Sequence, residues 1–268
     1  MLAEDRARAI VELVRRDGFQ AIDALALQFG VTPQTIRRDV NLLCDRGLLR
    51  RRHGGVELPP EGENLAYPAR QVLNIDAKRR IAQLVAREVP EGASLFFGIG
   101  TTPEQCALAL ADHSGLRVMT NNLNVALAFS RNASCEITVA GGRLRTLDRD
   151  VVADAHGFFS RFAVDIGIYG VGGVAEDGTL LDFSTDEVAM RSELARHCRQ
   201  RFLVLDHSKF GRGATVRGGH IAEANVVFTD RPVPAAIADQ LRDAGVRLVS
   251  WSDDIASTAT PSQTRRRG

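Results

Sequence analysis

The chain has 268 residues, enough for two domains, with 44% hydrophobic and 25% charged residues, a composition that supports folded cores. Its 34 basic and 33 acidic side chains leave a formal charge of +1, so any affinity for a polyanion must come from local clustering. No apolar run reaches the length of a membrane span. The N-terminus "MLAEDRARAI" lacks the apolar core of a secretory signal, and the expected location is the cytoplasm. Cys44, Cys106, Cys135 and Cys198 form no C-x-x-C pair. They suggest buried hydrophobes rather than a zinc site or a disulfide framework. Lysine occurs only at Lys78 and Lys209; every other basic residue is arginine.

Residues 1–57 read as a first domain. "RARAIVELVRRDG" places Ile10, Leu13 and Val14 at helical spacing and stops at Gly18. "IDALALQFG" is a shorter helix ending at Gly30. "VTPQTIRRDVNLLCDRG" is a third, with Thr32 as N-cap and Pro33 at the first helical position. Ile36, Val40 and Leu43 define its buried face, which turns Gln34, Thr35, Arg37, Arg38 and Asn41 outward. "LLRRRHGGVEL" then reads as two short strands joined at Gly54–Gly55. Two helices, a tight turn and a basic hairpin outline a winged helix-turn-helix. Residues 37–52 hold six arginines against Asp39 and Asp45, a local +4. Arginine can fork onto a guanine edge or clamp a phosphate, and Gln34 and Asn41 have the amide chemistry that reads adenine. The expected duplex-DNA contacts are Thr32, Gln34, Thr35, Arg37, Arg38, Asn41, Arg50, Arg51, Arg52 and His53.

Residues 58–75 hold three prolines and mixed polarity and read as a linker. From 76 to 251, helical segments alternate with apolar strand-like runs such as "ASLFFGIG", "LRVMTNN", "CEITVAGG", "VDIGIYGV", "RFLVLDHS" and "ANVVFTD". That alternation predicts an α/β domain with a mostly parallel sheet. The tail 252–268, polar and without periodicity, is expected to be disordered.

Open parallel sheets bind ligands beyond the C-terminal ends of their strands. "GIGTTPE" follows a strand and opens a helix. Its glycines admit a ligand to the backbone, free N–H groups attract an anion, and Thr101 and Thr102 add donors. The same residues also suit a structural glycine turn. The run matches neither the dinucleotide G-x-G-x-x-G pattern nor a P-loop. Asn121 and Asn122 fit hydroxyl recognition or helix capping. Lys209, at the end of "FLVLDHSK", can reach a phosphate as a mobile point charge. Gly98, Gly100, Gly142, Arg143, Asp182 and Glu187 complete the strand-end candidates. No metal or cofactor pattern is present in the sequence.

"FGVTPQTIRRDVNLLCDRGLLRRRHGGV" resembles the N-terminal signature of the DeoR family of bacterial transcription regulators, with the arginine pair at Arg37 and Arg38 and the wing ending in His53-Gly54-Gly55. The segments "GIGTT", "TNN", "VAGGRLR" and "DHSKFGRGA" resemble the C-terminal domain of that family. The resemblance implies a domain of the ribose-5-phosphate isomerase and coenzyme A transferase fold. It implies a sugar phosphate held by Gly100, Thr101 and Thr102, with Lys209 lining the same pocket. It implies a repressor that binds operator DNA as a homo-oligomer, dimer or tetramer, and is released by a small phosphorylated sugar or polyol such as glycerol 3-phosphate. Two departures, the lack of a glycine that the family usually shows close to Ala153 and Arg191 where many members have a lysine, leave another sugar phosphate open as the effector. A sugar-phosphate isomerase carrying a DNA-binding head is the enzyme alternative, with Asp182 and Glu187 as candidate bases and Lys209 stabilising an enediolate.

Overall fold

The computed structural model describes residues 3–45, 47–58 and 65–251. The expected disordered tail 252–268, Arg46 and most of the proline-rich stretch lie outside the described residues. The chain forms two compact units, Met1–Leu73 and Asn74–Gly268.

In the first unit, α1 (Ala3–Asp17), β1 (Gln20–Ala21), α2 (Ile22–Phe29) and α3 (Pro33–Asp45) precede a hairpin of β2 (Arg50–Arg52) and β3 (Gly55–Glu57). Strand order is β1-β3-β2, all antiparallel. Ile10, Leu13, Val14, Leu25, Ile36, Val40, Leu43, Leu49 and Val56 form the core, as the helical spacing requires. α2 ends at Gly30, whose left-handed φ of 63° suits glycine. The segment expected as a linker departs from that reading. It contains α4 (Tyr67–Val72), with Ala69 fully buried and Leu65 and Leu73 packed on the same core. The prolines that suggested a linker are compatible with a short helix, because Pro68 occupies its first turn.

The second unit opens with α5 (Ile75–Glu88) and β4 (Ser94–Phe97). It continues through α6 (Thr101–Ala109), β5 (Arg117–Thr120), α7 (Leu123–Phe129), β6 (Glu136–Val139) and a small hairpin, β7 (Leu144–Arg145) with β8 (Asp150–Val151). Next come β9 (Val164–Tyr169), β10 (Gly173–Val174), β11 (Thr179–Asp182), α8 (Thr185–Arg196), β12 (Cys198–Val204), β13 (Val216–His220), β14 (Val226–Thr229), α9 (Ala235–Asp243) and β15 (Arg247–Ser250). Seven strands form one sheet in the order β15-β14-β12-β9-β4-β5-β6. All its pairings are parallel. Its inner strands carry fully buried apolar residues (Phe96, Phe97, Ile168, Phe202, Phe228) that pack into cores on both faces. A second sheet, β10-β11-β13, is antiparallel and has no counterpart in the sequence reading. The cysteines are all free, but only Cys106 is fully buried; the other three are half-buried.

Candidate DNA interface and effector site

On α3 the side chains of Ile36, Asp39, Val40 and Leu43 turn inward, while Gln34, Arg37, Arg38 and Asn41 are exposed and Thr35 is half-exposed. The inward Asp39 is explained by a contact across 33 residues: Arg6 of α1 donates to it at 2.6 and 3.3 Å in a buried pair. The acid within the arginine run is thereby held away from the outer face. Thr32 caps the helix, its Oγ1 accepting the Thr35 N–H at 3.2 Å and meeting the Thr35 hydroxyl at 3.0 Å.

The hairpin is organised by its arginines. Arg51 donates to Asn41 Oδ1 at 2.8 Å, tying the hairpin to α3. Arg50 and Arg52 both donate to Glu57, at 2.7 Å each. Arg52 first, then Arg50, holds the Glu57 carboxyl below the usual carboxylate range. Glu57 is therefore a third acid against the basic run, one the charge count over residues 37–52 did not include. Replacing it (Glu57→Gln) is expected to release both arginines toward solvent. Duplex affinity should then rise at low salt, and the slope of log K against log salt should steepen by about one to two; anisotropy titrations over a salt series check this. His53-Gly54-Gly55 follows from the backbone. Gly54 has φ 73°, and a Cβ at Gly55 would stand 2.2 Å from the Gln20 carbonyl oxygen. Arg37, Asn41, Arg51, Arg52 and His53 line one groove between α3 and the hairpin.

In the second unit the chain runs from β4 to β5 and β6 on one side, while β9, β12, β14 and β15 lie on the other. The switch point falls between β4 and β9, where ligands seat in such sheets. The β4 end carries Gly98 and Gly100, the latter at φ 111° and capping α6, whose first residues Thr101 and Thr102 are buried. Lys209 lies in the short turn His207–Lys209 after β12, the strand next to β9. The loop between them is Gly170-Val171-Gly172, between β9 and β10; it carries no carboxylate.

Asp206 organises the Lys209 loop. It accepts from the Ser208 N–H at 3.0 Å and from the Ser208 hydroxyl, and from Asn74 Nδ2 at 2.8 Å. Burial opposes its ionisation, yet Lys209, the Ser208 hydroxyl and Lys78 hold its carboxyl below the usual range. Lys78, only 4% exposed on α5, was not singled out by the strand-end reasoning, because it lies on a helix. Its rarity was the available signal: the chain's two lysines act on the same carboxylate.

The other candidates divide. Asn122 caps α7, accepting the Asn124 N–H at 2.9 Å, and donates to Glu104 at 2.9 Å. Its side chain is structural, so Asn122→Ala is expected to cost about 1 kcal/mol of stability by urea denaturation. Asn121 donates to the Val151 carbonyl at 2.7 Å, and its buried Oδ1 has no hydrogen-bond partner. Gly142 is required by packing, since a Cβ would stand 2.5 Å from that of Asp154; Arg143 is exposed, its N–H donated to Asp154 at 2.6 Å. Asp182 accepts from Arg191 at 2.9 and 3.1 Å and from the Gly172 N–H at 2.8 Å. Burial pushes its carboxyl up while Arg191 opposes the rise. Glu187 accepts from Arg145 at 2.9 Å, and Arg145 also grips Asp150 at 2.6 and 2.9 Å. Both carboxylates offered as isomerase bases are thus engaged by arginines.

Residues 6–61 match the DeoR-like helix-turn-helix domain and residues 73–231 the DeoR C terminal sensor domain. The chain belongs to the DeoR family. Curated relatives of this DeoR-family chain include the glycerol-3-phosphate regulon repressor of Escherichia coli (strain K12). That protein is 41% identical over 249 residues, 92% of this chain and 99% of the relative. The protein of the same name from Haemophilus influenzae is 42% identical over 91% of this chain and 95% of its own length. The HTH-type transcriptional repressor CsqR of Escherichia coli is 35% identical over 91% of this chain and 94% of its own length. Among solved structures, ribose 5-phosphate isomerase A from Methanocaldococcus jannaschii aligns at 14% identity and TM-score 0.38, covering 51% of this chain and 55% of the other. No helix among the described residues is long and apolar enough to cross a membrane.

Proposed function

We propose that this DeoR-family chain is a transcriptional repressor that holds operator DNA through α3 and the β2–β3 hairpin and releases it when glycerol 3-phosphate binds the second unit. The observation that carries the reading is the end-to-end match to repressors named for the glycerol-3-phosphate regulon. The outward Arg37 and Arg38, and the groove that Arg37 shares with Arg51 and Arg52, support the DNA assignment. The start of α6, a helix N-terminus of the kind whose backbone N–H groups attract anions, with Thr101 and Thr102 in its first turn, supports a phosphate site. Lys209 and Lys78 supply positive charge around Asp206, on the loop after β12. Engagement of Asp182 and Glu187 by arginine favours a sensor over an isomerase. Symmetric homo-oligomers meet near-palindromic sites with two heads, and the chain is read as one. A coupling of about 1–3 kcal/mol changes operator affinity roughly 5- to 150-fold.

The test is a thermal-shift screen of phosphorylated sugars and polyols on the full chain, followed by DNA release measured with the binders. Glycerol 3-phosphate is expected to stabilise the fold and dissociate DNA. Stabilisation and release by a different sugar phosphate alone would replace the effector and leave the repressor. Turnover of a sugar phosphate without any DNA affinity would replace both.

A further inference from the structure

The segment that carries Lys209 is fastened along its length to the glycine loop after β9. Phe210 bridges to Val174, and the Gly211 N–H donates to the Val174 carbonyl at 2.9 Å. Arg212 Nη1 donates to the Gly172 carbonyl at 3.3 Å, and its guanidinium lies 5.1 Å from the Phe183 ring centroid. Between these fastenings the two backbones come so close that a Cβ on Gly173 would stand 2.1 Å from the Arg212 carbonyl oxygen. That contact is backbone against any side chain at 173, so rotamer changes cannot relieve it; the two backbones must part, and the 209–212 segment is displaced from its place on the 172–174 segment. The Arg212 N–H in turn reaches the Lys209 carbonyl at 3.4 Å, so displacement passes directly to the lysine.

We infer that Gly173, with the Arg212 clasp, is a positioning residue for the effector: it sets where Lys209 stands, and so how tightly a phosphate is held, without touching the ligand. This inference rests on the reading of Lys209 as an effector contact. A charged group gains from a partner only when held within a fraction of an ångström of its productive place. The zipped segment performs that task for the lysine, whose flexible stem does not fix its own position.

A double-mutant cycle on the full chain, read by calorimetric titration with glycerol 3-phosphate, tests it. Gly173→Ala is expected to weaken binding roughly tenfold in the wild-type background and less than about twofold when Lys209→Ala is already present. A merely structural defect weakens both backgrounds equally, and that result, or full affinity in Gly173→Ala, overturns the inference. Arg212→Ala, which removes the side-chain clasp and leaves the backbone contact, gives the same non-additive pattern with a smaller loss and serves if Gly173→Ala does not fold by circular dichroism. A wild-type chain that binds no phosphorylated polyol or sugar, or a Lys209→Ala chain that binds like wild type, sinks the underlying effector reading and the inference with it. Loss in Lys209→Ala with additivity in the cycle sinks the inference alone.

Discussion

Arg37→Ala or Arg38→Ala is expected to weaken operator binding by about 1–3 kcal/mol if the side chain reads a base, and to relax specificity at that position. If instead the side chain grips a phosphate, binding weakens by a similar factor on every sequence and the salt slope falls by about one. The two roles are separable by titrating each variant against matched and mismatched duplexes over a salt series. The geometry makes the test clean. Both residues are exposed, and the fold of α3 rests on Ile36, Val40, Leu43 and the Arg6–Asp39 pair. Alanine at 37 or 38 should therefore leave the melting temperature within a degree or two of wild type, since surface substitutions rarely exceed about 0.5 kcal/mol. The double variant should lose nearly all sequence preference. Full operator affinity in both single variants would remove α3 from the interface.

Lys209→Ala is the second large effect. A charge-assisted hydrogen bond to a phosphate contributes about 1.5–3 kcal/mol. Glycerol 3-phosphate affinity should fall by one to two orders of magnitude, while DNA binding without effector is retained. The expected record is an operator complex that no longer dissociates at effector concentrations that empty the wild type. Thr101→Ala should act in the same direction, because it deletes a hydroxyl at the buried start of α6 where the phosphate is read to sit. Lys78→Ala is less clean. Lys78 is buried and acts on Asp206, so its removal disturbs the loop that orders Ser208 as well as any ligand contact. Normal release in both Thr101→Ala and Lys209→Ala would place the effector elsewhere.

The first unit was legible because its signals are local. A cap at Thr32, the spacing of Ile36, Val40 and Leu43, and a glycine pair needed by backbone geometry each act within a few residues. The parallel sheet was legible for a similar reason: long apolar runs such as "SLFF" and "RFLV" mark strands buried on both faces. What escaped were features made by contacts distant in sequence or by very short elements. The Arg6–Asp39 pair spans 33 residues, and nothing local announces it. Strands β7, β8 and β10 have two residues each, too few for alternation to register. Helix α4 hid behind prolines. In the site, residue type narrowed the field but could not allot roles. Asn121 and Asn122 are adjacent and chemically identical, yet one caps a helix and the other keeps a free buried acceptor. Asp182 and Glu187 are acids at a strand end, and only the fold reveals the arginines that occupy them. The lysine count was a usable signal, but only the fold joins Lys78 to Lys209 through Asp206.

The most direct test of the coupling between the two units is an anisotropy titration of the full chain against genomic duplexes enriched by its own binding, over a salt series, with and without glycerol 3-phosphate. The expected record is an affinity that falls steeply with salt, by a slope of about −0.9 for each phosphate contacted. Saturating effector should weaken it further, roughly 5- to 150-fold. An affinity for duplex DNA that ignores salt, or one that ignores every phosphorylated ligand, would contradict a repressor that grips phosphates at one end and senses a phosphate at the other.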